Sequence, residues 1–172
     1  MVQNILIYCG ADGAADFAGQ LSQKSGDDLG LVNTCLDPSE VKTSGCRIED
    51  ERSYGGVEMS AFDEPIAVGS AVAQLAGHAD AVVIERLDDW VDRLAGHHGS
   101  DKSSITAEIT SMCSVMKAGL LDMLIVTRKQ ADDSGPNAAL LAEVLEQVEP
   151  LCSVVADLSG GEPQVLRGEL PS

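Results

Sequence analysis

The chain has 172 residues, of which 44% are hydrophobic, and its 28 acidic against 11 basic residues give a net charge of −17 at pH 7. A charge of this size repels nucleic acids, anionic membrane surfaces and free nucleoside triphosphates, and two Phe, two Tyr and one Trp are too few for a base-stacking platform. The composition therefore excludes a nucleic-acid partner and predicts a single globular domain over residues 1–172.

The cysteines indicate a reducing environment and no metal site. Their number is odd and their spacing is wide, with no CxxC pair and no His at zinc-ligand spacing: Cys9, Cys35, Cys46, Cys113 and Cys152. We expect them to be buried as small hydrophobic residues. No basic and apolar leader is present, and no apolar run approaches the ~20 residues that span a bilayer. We therefore expect a cytoplasmic protein that does not contact membranes.

In the first half of the chain, short apolar runs alternate with helical patterns. An apolar strand at 4–9 leads through a turn containing glycine into a helix at 16–23, and a second strand follows at 29–33. Asp37-Pro-Ser-Glu40 begins a helix that Gly45 ends. The pattern continues with a strand at 56–60, a helix at 66–76 and a buried strand at 79–85.

The second half repeats the alternation with clearer periodicity. A polar and mobile loop is predicted at 96–103. A helix with one apolar face follows it, formed by Ile105, Ile109, Met112, Met116 and Leu120. After it come a strand at 122–127, a helix that Pro136 opens with a stripe from Leu140 to Val148, and strands at 151–156 and 164–167 that pair antiparallel. The order predicts an α/β fold with a mostly parallel sheet, helices on both faces and an antiparallel C-terminal edge.

The turn after the first strand has the glycines and the strand-to-helix position of a phosphate-binding loop, but it lacks the side chains that bind phosphate. Gly10 and Gly13 lie between an apolar strand and a helix start, as in a P-loop. The next residues, Ala14 and Ala15, offer neither an ammonium nor a hydroxyl group, and the neighbouring Asp12 and Asp16 add negative charge. An ordinary strand, turn and helix with Asp at the helix start explains the same residues.

The order of these residues resembles the bifunctional adenosylcobinamide kinase/adenosylcobinamide-phosphate guanylyltransferases of cobalamin biosynthesis. In that family an apolar strand leads into Gly-Gly-Ala-Arg-Ser-Gly-Lys-Ser-Arg-Phe-Ala-Glu. The segment Cys9–Ala18 follows this pattern with one residue deleted and with Phe17 and Ala18 retained. Ala14 and Ala15 replace the Lys and Ser. Arg47-Ile48 is also retained, but Asp50 and Glu51 stand where the family has the histidine that carries covalent GMP.

The later motifs of the family occur in the same order in this chain, but most of their functional residues are replaced. Its buried acidic-ended strand, followed by a Leu and a Trp, resembles Asp80–Glu85 with Leu87 and Trp90. Glu85 is therefore the one catalytic-type residue that survives. The family's Asn and Glu after a Val-Ser/Thr pair correspond to Arg128 and Lys129, ahead of Pro136.

The resemblance implies a P-loop NTPase-like, RecA-like fold that uses ATP or GTP with Mg²⁺ in intact members. Because Lys, Ser and His are replaced, we expect no cofactor and no metal here, and Gly10, Gly13, Ala14 and Ala15 form a vestigial loop. Such a chain is a non-catalytic binding, regulatory or assembly subunit. The alternative is a divergent nucleotide-dependent enzyme of corrinoid metabolism.

If the protein is such an enzyme, its candidate catalytic residues are Glu85 and the acidic and histidine residues that follow it. They are the pair Asp88 and Asp89 and the loop residues His97 and His98, and Glu85 itself would hold a cation. The simpler interpretation is that Asp88, Asp89 and Asp92 form a solvated helix start and that the histidines are ordinary loop residues.

A homo-oligomer is the expected assembly, with a corrinoid or a corrinoid-pathway protein as a further partner. Members of the resembling family form small closed oligomers. The helix bearing Ile105, Ile109, Met112 and Met116, together with Cys113 and Val115, offers apolar surface, although core packing explains most of that stripe.

Overall fold

A computed structural model describes residues 2–10, 14–34, 50–128 and 137–172. The strands are β1 (Asn4–Cys9), β2 (Leu29–Asn33), β3 (Asp50–Tyr54), β4 (Val57–Asp63), β5 (Ala81–Ile84), β6 (Asp122–Arg128), β7 (Val154–Asp157) and β8 (Gln164–Arg167). The helices are α1 (Ala15–Ser22), α2 (Val68–Leu75), α3 (Leu87–His98), α4 (Lys102–Ala118) and α5 (Ala138–Val148), and a short 3₁₀ helix covers Glu149–Leu151. Several predicted features lie outside the described residues: Asp12, Gly13, Cys35, the helix from Asp37 to Gly45, Cys46, Arg47, Ile48, Lys129 and Pro136.

All eight strands form one sheet in the order β3-β4-β2-β5-β6-β1-β7-β8. The six central strands are parallel, whereas β3 and β8 pair antiparallel at the two edges. The predicted α/β class and its antiparallel C-terminal edge are therefore confirmed. The strand β3 was not predicted, because its sequence Asp-Glu-Arg-Ser-Tyr carries charges where an apolar pattern would indicate a strand.

Helices cover both faces of the sheet, as predicted. Four helices, α2 to α5, pack on one face with residues such as Leu6, Val82 and Ile125. Helix α1 packs on the other face with alternate residues of the same strands, including Ile7 and Val83. Because the central strands are buried on both sides, they read as continuous apolar runs rather than as alternating ones.

Helix α4 carries the predicted apolar stripe with one exception. Ile105, Ile109, Met112 and Met116 are buried in the core, but the Leu120 side chain is 54% exposed. The helix ends before it, at Gly119, whose φ of 62° gives a left-handed C-cap. The assignment of Leu120 to the buried face was therefore wrong.

The predicted mobile loop at 96–103 was also wrong. Helix α3 continues through His98 and α4 begins at Lys102, so that only Gly99–Asp101 link them. Four residues of α3 at helical spacing are buried: Leu87, Trp90, Val91 and Leu94. This burial holds the helix together past Gly96, because tertiary packing outweighs the low helix propensity of one glycine.

The turn between β3 and β4 lies against the start of α1. A Cβ atom on Gly19 would be 2.7 Å from the carbonyl oxygen of Tyr54, and one on Gly55 would overlap the carbonyl of Ala15. Gly55 also has a φ of +58°, which side chains rarely adopt. These glycines let the turn between β3 and β4 approach α1 closely. None of the helices in the described ranges is long and apolar enough to cross a membrane.

Candidate functional site

The parallel strands bring polar side chains together at the carboxyl edge of the sheet. Cys9 ends β1, Thr34 follows β2, Glu85 follows β5, Arg128 ends β6 and Asp157 ends β7. In open α/β sheets ligands bind outside this edge. It is also the edge at which α1 begins.

The start of α1 provides only backbone groups. Ala14 is the residue before the helix and is buried, its side chain forms no capping hydrogen bond, and its carbonyl oxygen accepts from the Ala18 N–H at 2.8 Å. Ala15 is the first helical residue and Asp16 is an acidic residue in the first turn. These are the two alanines that the resemblance aligned with the Lys and Ser of a phosphate loop, and that alignment stays a prediction. A Cβ atom on Gly10 would be 3.8 Å from the Cα atom and the carbonyl oxygen of Ser159, so this position has room for a side chain.

Arg86 and Asp88, which both follow β5, form an ion pair that is also hydrogen-bonded to the end of β6. The Arg86 guanidinium donates from Nε to Asp88 Oδ1 at 3.0 Å and from Nη2 to Oδ2 at 2.7 Å. Their side chains are only 17% and 14% exposed. Asp88 Oδ1 also accepts the backbone N–H of Arg128 at 3.2 Å. One carboxylate therefore holds two neighbouring strand ends together.

Thr34 connects the end of β2 to the same loop. Its Oγ1 donates to the carbonyl oxygen of Arg86 at 2.8 Å and accepts the Arg86 N–H at 3.2 Å. Thr34 is fully buried. The ends of β2, β5 and β6 are thus linked through Arg86 and Asp88.

The charges at this edge influence each other. Burial alone would raise the pKa of Asp88, but the hydrogen bond and charge of Arg86, helped by the Arg128 N–H, outweigh it and the pKa is lowered. Burial raises the pKa of the Cys9 thiol, although the positive charge of Arg86 works against this. Cys9 is therefore a protonated and weakly nucleophilic thiol at neutral pH.

The sequence patterns did not predict this ion pair. Asp88 was expected to be solvated, and the structure corrects that interpretation because the carboxylate is mostly buried against Arg86. The signal was an Arg and an Asp two residues apart directly after a buried strand, Arg86-Leu-Asp88. Charges at a helix start are commonly exposed, so this spacing alone did not distinguish the two arrangements.

Glu85 stands where the sequence predicted an acidic strand end. It directly follows β5, is partly buried, and its backbone N–H donates to the carbonyl oxygen of Val32 at 3.1 Å. Strand β6 lies between β5 and β1, so Glu85 is two strand positions from Cys9. Its catalytic role stays a prediction.

Asp50 and Glu51 lie in β3, opposite Ala61 and Ser60 of β4. Four strands separate β3 from β1 in the sheet order. The turn that follows β3 nevertheless lies against the start of α1, where Gly55 approaches Ala15. The assignment of Asp50 and Glu51 to the family's histidine positions stays a prediction.

His97 and His98 belong to the last turn of α3 and not to a loop, which corrects the prediction. Their ring centroids are 4.8 Å apart. At 1.5 Å of rise per residue, His97 lies about 14 Å along the helix axis from Asp88. In the described ranges no three His, Cys, Asp or Glu residues are arranged to hold a metal ion.

Asp92, the third acidic residue of the predicted helix start, accepts a hydrogen bond from the Asn137 side-chain amide at 2.9 Å.

Comparison with known proteins identifies the fold. No protein-family model and no curated protein matches the chain. Among solved structures, the chain is similar to the KaiC-like protein PH0186 from the hyperthermophilic archaeon Pyrococcus horikoshii OT3, with a TM-score of 0.55 and 11% sequence identity. The match covers 97% of this chain and 79% of that one. The chain therefore has a P-loop NTPase-like, RecA-like fold, whereas membership of the cobinamide kinase/guanylyltransferase family stays a prediction.

Proposed function

We propose that this protein is a non-catalytic member of the P-loop NTPase-like fold that acts as a binding, regulatory or assembly subunit. The observation that carries the proposal is the start of α1, which consists of Ala14 and Ala15. The sequence resemblance aligns these two residues with the Lys and Ser of a phosphate loop. Phosphoryl transfer depends on positioning and on electrostatic stabilisation, which a lysine ammonium and a hydroxyl-held Mg²⁺ supply in P-loop enzymes. Two methyl groups supply neither.

The charges around this helix start support the same proposal. Asp16 lies in the first turn of α1, where it disfavours a second anion. The guanidinium of Arg86, whose charge acts on Cys9 at the end of β1, is hydrogen-bonded to both oxygens of Asp88. An incoming phosphate would have to compete with that carboxylate for the same donors.

The physiological setting that we propose is corrinoid metabolism, with a corrinoid or a protein of that pathway as the partner. The support is the order of sequence landmarks from Cys9 to Pro136. In this setting the subunit needs neither ATP, GTP nor Mg²⁺. A guanylylated intermediate is not expected, because a carboxylate at position 50 or 51 would form a labile mixed anhydride instead of a phosphoramidate.

Ligand-dependent thermal unfolding tests the proposal. ATP, GTP and cobinamide are each added with Mg²⁺ to the wild type, and a ligand at 100 times its Kd should stabilise the fold by ~2.7 kcal/mol. We expect no shift of Tm with either nucleotide. The matched variant carries Ala14→Lys and Ala15→Ser, and a nucleotide-dependent shift in that variant alone would identify the two alanines as the cause. Saturable micromolar binding of GTP to the wild type would overturn the proposal.

A second measurement addresses guanylyl transfer directly. After incubation with GTP and Mg²⁺, intact-protein mass spectrometry should show the unmodified chain only. A stable adduct of one GMP mass would contradict the loss of this half-reaction, whichever residue carries it.

The second candidate is a divergent nucleotide-dependent enzyme. It is favoured by an acidic and a basic residue at the carboxyl ends of the strands. Glu85 follows β5, and the cation Arg128, with an exposed side chain, ends β6 directly opposite Cys9 of β1. An acidic group and a cation at this edge are the minimum for Mg²⁺ and phosphate. Slow nucleotide hydrolysis that disappears in both Glu85→Gln and Arg128→Gln would establish this enzyme and reject the non-catalytic proposal.

A further inference from the structure

Three hydrogen-bond donors converge at the carboxyl ends of β5 and β6. Two are Nε and Nη2 of Arg86, directly after β5, and the third is the backbone N–H of Arg128, which ends β6. Their distances to the Asp88 carboxylate oxygens are 3.0, 2.7 and 3.2 Å. Guanidinium and backbone N–H groups are donors with which proteins bind carboxylates and phosphates. The three donors therefore form a receptor for an anion, and Asp88 of the same chain occupies it.

The backbone that carries these donors is fixed by groups other than Asp88. Thr34 Oγ1 donates to the Arg86 carbonyl oxygen at 2.8 Å and accepts the Arg86 N–H at 3.2 Å. Arg128 belongs to β6 and pairs in register with Cys9 of β1. Since strand pairing and Thr34 hold both residues, we expect the receptor to persist when the carboxylate is removed.

The carboxylate of Asp88 has a large advantage over any free anion. It is two residues from Arg86, and a group tethered this closely acts at an effective concentration on the order of millimolar or above. Burial would raise the pKa of Asp88, but the hydrogen bond and charge of Arg86 outweigh it and lower the pKa, so the group is ionised at neutral pH. A second anion is repelled by this charge and by the net charge of −17.

We propose that Asp88 is a built-in ligand whose carboxylate closes this receptor by an autoinhibitory contact and excludes carboxylate and phosphate groups from the ends of β5 and β6. The inference rests on the proposed function and deepens it, because it assigns the exclusion of anions at this position to Asp88 rather than to Ala14 and Ala15. A ligand of the intact protein then places a neutral or cationic group against the Arg86–Asp88 pair. Removal of the carboxylate converts the same donors into a binding site for a small oxyanion.

Thermal unfolding with inorganic phosphate tests the proposal. Asp88→Gly removes the carboxylate, and Asp89→Gly, in the same first turn of α3, is the matched control for the loss of a charge and for the cost of glycine in a helix. Sodium phosphate at up to about 50 mM, at about pH 7, is compared with NaCl of equal ionic strength. The Tm of Asp88→Gly should rise saturably by about 3 °C or more, whereas the wild type and Asp89→Gly should respond to phosphate as they do to NaCl.

The double variant Asp88→Gly/Arg86→Gln shows whether the guanidinium binds the phosphate. It lacks both the carboxylate and the cation, so the phosphate-dependent rise of Tm should disappear. A folded Asp88→Gly variant without such a rise overturns the proposal. An equal rise in the wild type, in Asp89→Gly or in the double variant also overturns it.

Circular dichroism keeps the test decisive if Asp88→Gly is unfolded without phosphate. In that case phosphate should refold it, NaCl of equal ionic strength should not, and the double variant should stay unfolded in both salts. Failure to refold in phosphate, or equal refolding in NaCl, would reject the proposal. None of these outcomes involves nucleotide. Saturable GTP binding by the wild type would contradict the non-catalytic function, whereas the phosphate response of the variants alone decides the role of Asp88.

Discussion

At the residue scale, Asp88 shows how one side chain can organise a strand edge. It accepts two hydrogen bonds from the Arg86 guanidinium and one from the backbone of Arg128. Both partners depend on it, since an arginine buried to this extent loses hydration that the carboxylate replaces. The acidic character of position 88 was evident in the sequence, but its hydrogen bond to the Arg128 backbone depended on the fold, because Arg128 is forty residues further along the chain.

Replacing Asp88 should therefore destabilise the protein strongly. We expect Asp88→Ala to lower the free energy of unfolding by about 2–3 kcal/mol, because it leaves a mostly buried guanidinium and a backbone N–H without their acceptor. Urea unfolding followed by the fluorescence of Trp90, the single tryptophan, measures the change. The control is Asp16→Ala at an exposed position, with an expected change below about 0.5 kcal/mol. Equal effects of the two substitutions would contradict a special role of Asp88.

The same carboxylate should make stability depend on acidity. The pKa of Asp88 is lower in the folded protein than the unfolded value near 3.9, so its contribution is complete above that value and is lost as pH falls through the folded pKa. Asp88→Asn keeps the shape and removes this titration. The stability difference between wild type and Asp88→Asn should be full at pH 7 and should shrink below about pH 4. A difference that stays constant down to pH 3 would show that the charge of Asp88 is not involved.

At the element scale, burial decided which predictions were correct. Strands β1, β5 and β6 are apolar runs between turn residues and could be recognised from sequence, since both of their faces are covered. The edge strand β3 has polar residues and depends on β4 for its conformation, so no local pattern indicated it. A loop was predicted at 96–103 because of Gly96 and two histidines, and only the packing of Trp90 and Leu94 shows that helix α3 continues through His98.

Two glycines in helices should respond oppositely to alanine. Gly69 of α2 faces α4, where a Cβ atom would be 2.8 Å from the Met112 backbone nitrogen and would overlap Ser111 Oγ. Gly96 of α3 has no atom near that position. We expect Gly69→Ala to destabilise by about 1–3 kcal/mol through overpacking, and Gly96→Ala to stabilise by up to about 1 kcal/mol through helix propensity. Thermal unfolding of both variants provides the measurement, and stabilisation by Gly69→Ala would show that α2 and α4 are not in close contact.

At the scale of the whole molecule, the fold was predictable and the site only in part. Alternating strands and helices indicated the parallel sheet, and the turn after β1 indicated the P-loop-like frame. The sequence pattern predicted that Ala14 and Ala15 lie near the start of a helix and that Glu85 lies at the end of a strand, and the structure has them there. The separation of Asp50 from β1 did not follow, because it depends on strand order, which the sequence does not state. The burial of the Arg86–Asp88 pair did not follow either, because charges at a helix start are commonly exposed.

Net charge should control the stability of the whole fold. At −17 the compact state is opposed by self-repulsion, and the Debye length falls from about 30 Å to about 8 Å between 0.01 and 0.15 M salt. We expect NaCl to raise Tm by several degrees, mostly below about 0.3 M, where screening changes fastest. Thermal unfolding at protein concentrations low enough to exclude self-association isolates this effect. A Tm that rises only above about 1 M would indicate general salting-out instead.

The buried cysteines give the two faces of the sheet separate chemical reporters. Cys9 lies in the cluster under α1, whereas Cys113 and Cys152 lie in the cluster under the other four helices. Burial raises the pKa of all three thiols, that of Cys152 to about 12, so alkylation must wait for the surrounding packing to open. Peptide mapping after timed alkylation therefore measures the opening rate of each face. Equal rates at Cys9 and Cys152 would mean that the sheet is uncovered in one cooperative event, whereas faster labelling of Cys9 would mean that α1 detaches first.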